Sequence, residues 1–127
     1  MAVLKRLTKR SDFLRVQRAN IKQVTASLVI QSASNFSLGP MAARVGFTAS
    51  KKIGNAVSRN FAKRRMRALI SQQSNALVEG TDYVVIARQA MLVKKFSDIE
   101  AEMIDAIYAL NKKMLLQKAD IKPNSSN

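Results

Sequence analysis

Residues 43–70 read ARVGFTASKKIGNAVSRNFAKRRMRALI, and three local patterns follow one another in them. From Ala43 to Ser50 the chain alternates: Val45, Phe47 and Ala49 point one way, Arg44, Gly46, Thr48 and Ser50 the other. That period of two is the mark of a strand with one wet face. Gly54 interrupts it, and Asn55 is suited to cap a helix, because its side-chain oxygen can accept a free N–H of the first turn. Apolar residues then recur at helical spacing, so a helix is expected from Asn55 to about Leu77. A strand, a turn and a helix in succession make this stretch the nucleus of an α+β unit.

The helix is unusual in its charge. Lys51 to Ile70 holds seven Lys or Arg and no Asp or Glu. A solvated helix normally mixes both signs, since opposite charges one turn apart support it and like charges oppose it. At about 100° per residue from Arg59, Lys63, Arg67 and Asn60 share one side with Arg64 just beyond, and Ala62, Met66, Leu69 and Ile70 gather on another arc that can pack on a sheet. One stripe belongs to a core; the other is a comb of cations. A merely solvated face would carry acids as well, and a membrane-surface helix needs its apolar face free for lipid. Phe61 falls about 200° from Arg59, off both arcs. It reads as a packing residue against a neighbouring segment, with base stacking or a neutral replacement of a redundant charge as the other two readings.

Working outward, the order of elements is α-β-β-β-α-β-α, an α+β sandwich of helices on one sheet. Ser11 is a plausible cap for a first helix, DFLRVQRA, with Phe13 and Val16 on one face. KQVTASLVIQSA, rich in Val, Ile and Thr, reads as extended chain, one strand or a short and a longer one. SNFSLGPM reads as a loop. YVVIAR is a continuous apolar strand of the kind buried on both faces. Ser97 followed by Glu100 reads as a capping box opening an amphipathic helix with Ile99, Met103, Ile107, Leu110 and Met114 at helical spacing. One domain over residues 1–118 and a flexible tail over 119–127 are expected.

The net charge is +14, and all of it lies in one part of the 127-residue chain. From Met1 to Val78 there are fifteen Lys or Arg and one acid, Asp12; from Glu79 onward there are seven of each sign. Such asymmetry points to one polyanion-binding surface. The 47% hydrophobic content argues for a folded core. No apolar run is long enough to span a bilayer, which argues against a membrane partner. The absence of Cys fits a reducing cytoplasm.

The chain also has no His. That removes the commonest general base, and with Cys the softer metal ligands. A protein nuclease usually gathers carboxylates around two metal ions, whereas the basic half offers Asp12 alone. The residues therefore point to nucleic-acid binding without catalytic groups, metal ligands or a small-molecule substrate. Phe13, beside Arg15 and Arg18, has two readings: a ring that stacks a base, or a core residue. Lys51, Lys52 and the helix start after Gly54 favour a phosphate, although an ordinary capped turn would look the same.

ARVGFTASKKIGNAVSRNFAKRRMR closely resembles the signature of the bacterial ribonuclease P protein subunit, through Gly46, Lys51, Lys52, Gly54, Ala56, Val57, Arg59, Asn60, Lys63, Arg64 and Arg67. RLTKRSDFLRV and DYVVIAR also look like that family's first helix and last strand. The resemblance implies a left-handed crossover between parallel strands, against the usual hand. It implies an accessory subunit, cytoplasmic, whose partner RNA uses Mg2+ to cut the 5′ leader from precursor tRNA while the protein holds no cofactor of its own.

By the same resemblance, Arg59, Asn60, Lys63, Arg64 and Arg67 face the catalytic RNA, with Lys51, Lys52 and Asn55 near the helix start. Phe13, Thr48, Lys52 and Arg59 match a cleft for the leader. Two further cleft positions, often aromatic in the family, are Gln17 and Gln31 here, which exchanges stacking for hydrogen bonding. Phe61 stands where the pattern has Arg. A ribosomal or general structural RNA-binding protein is the competing reading: it shares the charge but does not require this order of residues.

Overall fold

A computed structural model describes residues 3–35, 37–39 and 42–121, with the side chains of residues 3 and 118–121 undescribed. It is a five-stranded sheet carrying three helices: β1 Val3–Arg6, α1 Arg10–Ala19, β2 Ile21–Val24, β3 Leu28–Ser34, β4 Ala42–Thr48, α2 Ala56–Gln72, β5 Thr81–Ala87 and α3 Phe96–Ile121. The strand order is β1-β4-β5-β3-β2. β4 is parallel to both β1 and β5, and β3 is antiparallel to β5 and β2. The parallel pair β4–β5 is joined through α2, which makes this connection a crossover between parallel strands.

The alternation in β4 sorts its residues as expected. Ala43 and Val45 enter the main core with Ile30, Tyr83 and Val85, under the buried stripe of α2 and the buried face of α3. The opposite face of the sheet carries Ala33 and Val84, covered by Val16 of α1. β5 is buried on both faces because helices cover both, which is why its sequence lacks alternation. Asn20, at φ 55°, ends α1 in the left-handed region and turns the chain directly into β2. No described helix is long and apolar enough to cross a membrane.

Several boundaries differ from the sequence reading. α1 begins at Arg10, where the Lys9 carbonyl accepts from the N–H groups of Asp12 and Phe13, so Ser11 lies in the first turn and is not the cap. α3 likewise begins at Phe96, with the Lys95 carbonyl accepting from Asp98 and Ile99. Ser97 is thus inside the helix, and the capping box is not formed. In both places the backbone turns two positions earlier than the polar side chain suggests. α2 stops at Gln72 and gives way to a 3-10 turn at Ser74–Ala76, short of Leu77.

The extended run after α1 is two strands, and β1 is a strand that the pattern did not disclose. α3 continues to Ile121, into the segment expected as a tail. Residues 122–127 of that tail, and 36, 40 and 41 of the expected loop, lie outside the described residues.

Candidate nucleic-acid interface

The basic helix is built as a two-sided element. Ala62, Met66, Leu69 and Ile70 are the buried residues of α2, the same four that the helical angle assigns to the core. Asn60, Arg64 and Arg67 are exposed, with Arg59 and Lys63 half-buried beside them. The Asn55 side chain accepts the Ser58 N–H at 2.9 Å, so the cap is made. Before it, Ser50 leads into a 3-10 turn, Lys51–Ile53, that sinks Ile53 into the core and leaves Lys51 and Lys52 exposed. Gly54 closes the turn at φ 143°, where an L side chain is strained.

Among the described residues, none of Lys51, Lys52, Arg59, Lys63, Arg64 and Arg67 is in an ion pair. The unpaired cations lie on and just ahead of one helix, whose first turn also presents free N–H groups. Such a surface concentrates positive potential and attracts a polyanion.

Arg65 stands apart. Its guanidinium donates to the carbonyls of Met91, at 2.7 Å, and Lys94, at 2.9 Å. It also lies 5.3 Å from the centre of the Phe61 ring and 5.7 Å from that of Phe96. Arg65 is therefore a clamp between α2 and the approach to α3, and Phe61 stacks on the clamp. That accounts for an aromatic ring, 37% exposed, on a basic surface. Phe61 thus packs on guanidiniums of its own helix, Arg65 and Arg64, and not on a neighbouring segment as expected.

On the other face of the sheet α1 packs across β3 and β5. Strand register sets Gly46, Val84 and Gln31 in one row across β4, β5 and β3, with Thr48, Ile86 and Val29 in the next. The Phe13 ring sits over Gly46, so close that a Cβ there would lie 2.4 Å from the ring's Cζ. Phe13 and Val16 press α1 onto this face, and Phe13 is only half-buried, which leaves part of its ring to a cavity at the sheet edge. Thr48 is half-buried in the open row. Gln17 is exposed on α1, whereas Gln31, at 9% exposure, is nearly covered.

Lys52 and Arg59 do not stand on that face: Lys52 follows the end of β4, and Arg59 belongs to a helix packed on the opposite side. Phe13 and Lys63 do meet, across a cavity of about 280 Å³ at the sheet edge, lined also by Arg6, Leu7, Thr8 and Phe47.

α1 is oriented by a charge network that sequence reading did not find. Asp82 is fully buried on β5 and accepts two hydrogen bonds from Arg44, at 2.8 and 2.7 Å, one from Asn35 at 3.0 Å, and one from Arg15 of α1. Asp12 of α1 lies 3.4 Å from Arg44. Burial alone would raise the Asp82 carboxyl, but the hydrogen bonds of Arg44 and Asn35 and the two arginine charges hold it below the usual range. The two acids thus neutralise Arg15 and Arg44 and remove both from the basic surface. No local signal marks this, because Arg44 and Asp82 are 38 positions apart. Among the described residues, no three His, Cys, Asp or Glu come together to hold a metal.

Residues 1–111 match the family model described as Ribonuclease P. The ribonuclease P protein component of Paramagnetospirillum magneticum is 42% identical over 109 residues, which cover 84% of this chain and 82% of that one. Among solved structures, an RNase P protein mutant from Staphylococcus aureus with defective mRNA degradation activity superposes with a TM-score of 0.73 at 27% identity, over 84% of this chain and 87% of that one. The RNase P protein from Thermotoga maritima has the same fold, with a TM-score of 0.67 at 24% identity over 80% and 93% of the two chains.

Proposed function

The chain belongs to the ribonuclease P protein family, and we propose that it is the accessory protein of an RNA-catalysed tRNA 5′-processing enzyme. In this reading the α2 comb binds the catalytic RNA, and the cleft under α1 holds the single-stranded 5′ leader of precursor tRNA. The observation that carries it is the set of unpaired cations Lys51, Lys52, Arg59, Lys63, Arg64 and Arg67, on and just ahead of a helix whose opposite stripe is buried. A helix that keeps such repulsion uncompensated within its own chain is built for an external polyanion.

The chain's residues bind and orient; they do not supply a nucleophile or a general base. The acids in the basic half and its cleft, Asp12 and Asp82, are engaged by Arg15 and Arg44. In this reading Mg2+ chemistry belongs to the partner RNA. Phe13 offers a ring for a leader base, worth about 1–3 kcal/mol when a base stacks on it. Thr48 and Gln17 add polar edges beside it, and Lys52, past the end of β4, can meet a phosphate.

The test is precursor-tRNA cleavage at near-physiological magnesium, with and without a bacterial ribonuclease P RNA. Cleavage that requires both components is the expected result. Cleavage by the protein alone would overturn the assignment, and RNA binding with no effect on cleavage would favour a general structural RNA-binding protein.

A further inference from the structure

The edge of the sheet holds a second groove, and its origin is the shortness of β1. That strand ends at Arg6, paired with Val45, while β4 continues to Thr48. Phe47 thus has no strand partner on the β1 side, and its ring is only half-buried at the margin of the main core. Two cavities meet there. One, of about 270 Å³, lies between β1 and α2, with Leu4, Lys5 and Arg67 in its walls. The other is the cavity of about 280 Å³ that reaches Phe13 and Lys63. Arg6 and Phe47 line both, so the two make one groove along β1 from Leu4 to Thr8, about 13 Å at roughly 3.3 Å per residue.

The chemistry of this groove is uniform. Its walls carry Lys5 and Arg6 on one side, Lys63 and Arg67 on the other, and no acid lines either cavity. Among the described residues these four cations form no ion pair. The floor between them is apolar and includes an aromatic ring. Cations that follow a backbone, with an aromatic platform between them, form the arrangement that takes an unpaired nucleic-acid strand. One end of the groove is Phe13, which also sits over Gly46 on the α1 face of the sheet, so the groove adjoins the proposed leader cleft.

We infer that the leader nucleotides farthest from the cleavage site leave the Phe13 cleft and run along the β1 edge, with a base over Phe47 and phosphates met by Lys5 and Arg6. This rests on the leader-cleft reading above and extends it to residues that the motif does not contain.

The experiment uses the assembled holoenzyme, mature tRNA and precursor tRNAs whose leaders lengthen stepwise. Lys5→Ala/Arg6→Ala removes two exposed cations, and a melting curve checks that the fold survives. Wild-type affinity is expected to keep rising after the Phe13 cleft is filled. The double variant should lose about tenfold in affinity on the longest leaders, with a salt slope shallower by roughly 1.4, two phosphates at about 0.7 each. Short leaders and mature tRNA should bind it like the wild type.

Equal weakening on every RNA, mature tRNA included, would assign the groove to the catalytic RNA and overturn the inference; so would no change on any of them. A photo-crosslinker on Lys5→Cys, a unique thiol in a chain without Cys, gives an independent readout. Crosslinks to leader nucleotides are expected, and crosslinks confined to the catalytic RNA would count against the route. If the wild type itself gains nothing from any leader, the Phe13 cleft reading fails. Leader-dependent wild-type binding with an unaffected variant overturns only the β1 route.

Discussion

Phe13 and Gly46 are a matched pair: the ring of one occupies the space that a side chain on the other would fill, 2.4 Å from its Cζ. Gly46→Ala should force the ring aside, at a cost of about 1–3 kcal/mol in stability as for other overpacked sites. The displaced ring should weaken precursor tRNA binding more than mature tRNA binding. Chemical denaturation paired with the two affinities measures both effects. An unchanged precursor preference would show that ring position does not matter to leader binding.

Phe13→Ala removes the ring altogether. Because Phe13 is half-buried, both stability and the precursor preference should fall, the latter by about 1–3 kcal/mol if a leader base stacks there. A loss of stability with equal effects on both tRNAs would leave Phe13 a packing residue only.

Arg64 and Arg65 are neighbours in sequence with opposite roles. Arg65→Ala should cost about 1–3 kcal/mol, because it removes two hydrogen bonds to carbonyls and the cation between Phe61 and Phe96. Arg64→Ala, Lys63→Ala and Arg67→Ala should leave the fold nearly unchanged and weaken binding to the RNA subunit, with a shallower salt dependence. Melting curves and salt titrations on the four variants test the division. A Lys63→Ala variant destabilised as much as Arg65→Ala would contradict it.

Phe61→Arg restores the charge of the family pattern but sets a third guanidinium beside Arg64 and Arg65. Stability should fall by about 1 kcal/mol through the lost cation–π contact, while the salt dependence of RNA binding stays the same or steepens slightly. Unchanged stability together with failure to assemble would mean that the ring stacks on RNA instead.

Asp82 makes stability depend on pH. Its carboxyl is depressed in the folded state, so its contribution is present above the unfolded value of about 3.9 and is lost as pH falls through the lower folded value. Glu102 is shifted in the same direction: burial opposes the shift, and Lys94, Thr25 and the Ser27 bonds outweigh it. Denaturation between pH 2 and 7 should show stability dropping below about pH 4. Asp82→Asn should cost about 3 kcal/mol at neutral pH and flatten the acid limb, since two arginines lose their counter-charge. A variant with the wild-type acid limb would show that Asp82 is not the group responsible.

The chain's own order of residues sufficed for the two stripes of α2, the Asn55 cap, the two faces of β4 and the buried run of β5. Each of these is written in a local period or a neighbouring residue, so no distant contact is needed to read it. The resemblance added the roles, because the Lys-Lys-Gly-x-Ala-Val-x-Arg-Asn order is contiguous. Tertiary structure alone decided the rest. β1 is four residues without a pattern of its own and exists by parallel pairing with β4. Arg44, on the strand's wet face by alternation, is neutralised by an aspartate 38 positions away. Arg64 and Arg65 are chemically identical, and only the carbonyls of Met91 and Lys94 and the ring of Phe96 make one a clamp and leave the other to solvent. Charge and periodicity are properties of a segment; pairing, neutralisation and burial depend on what the fold brings beside it.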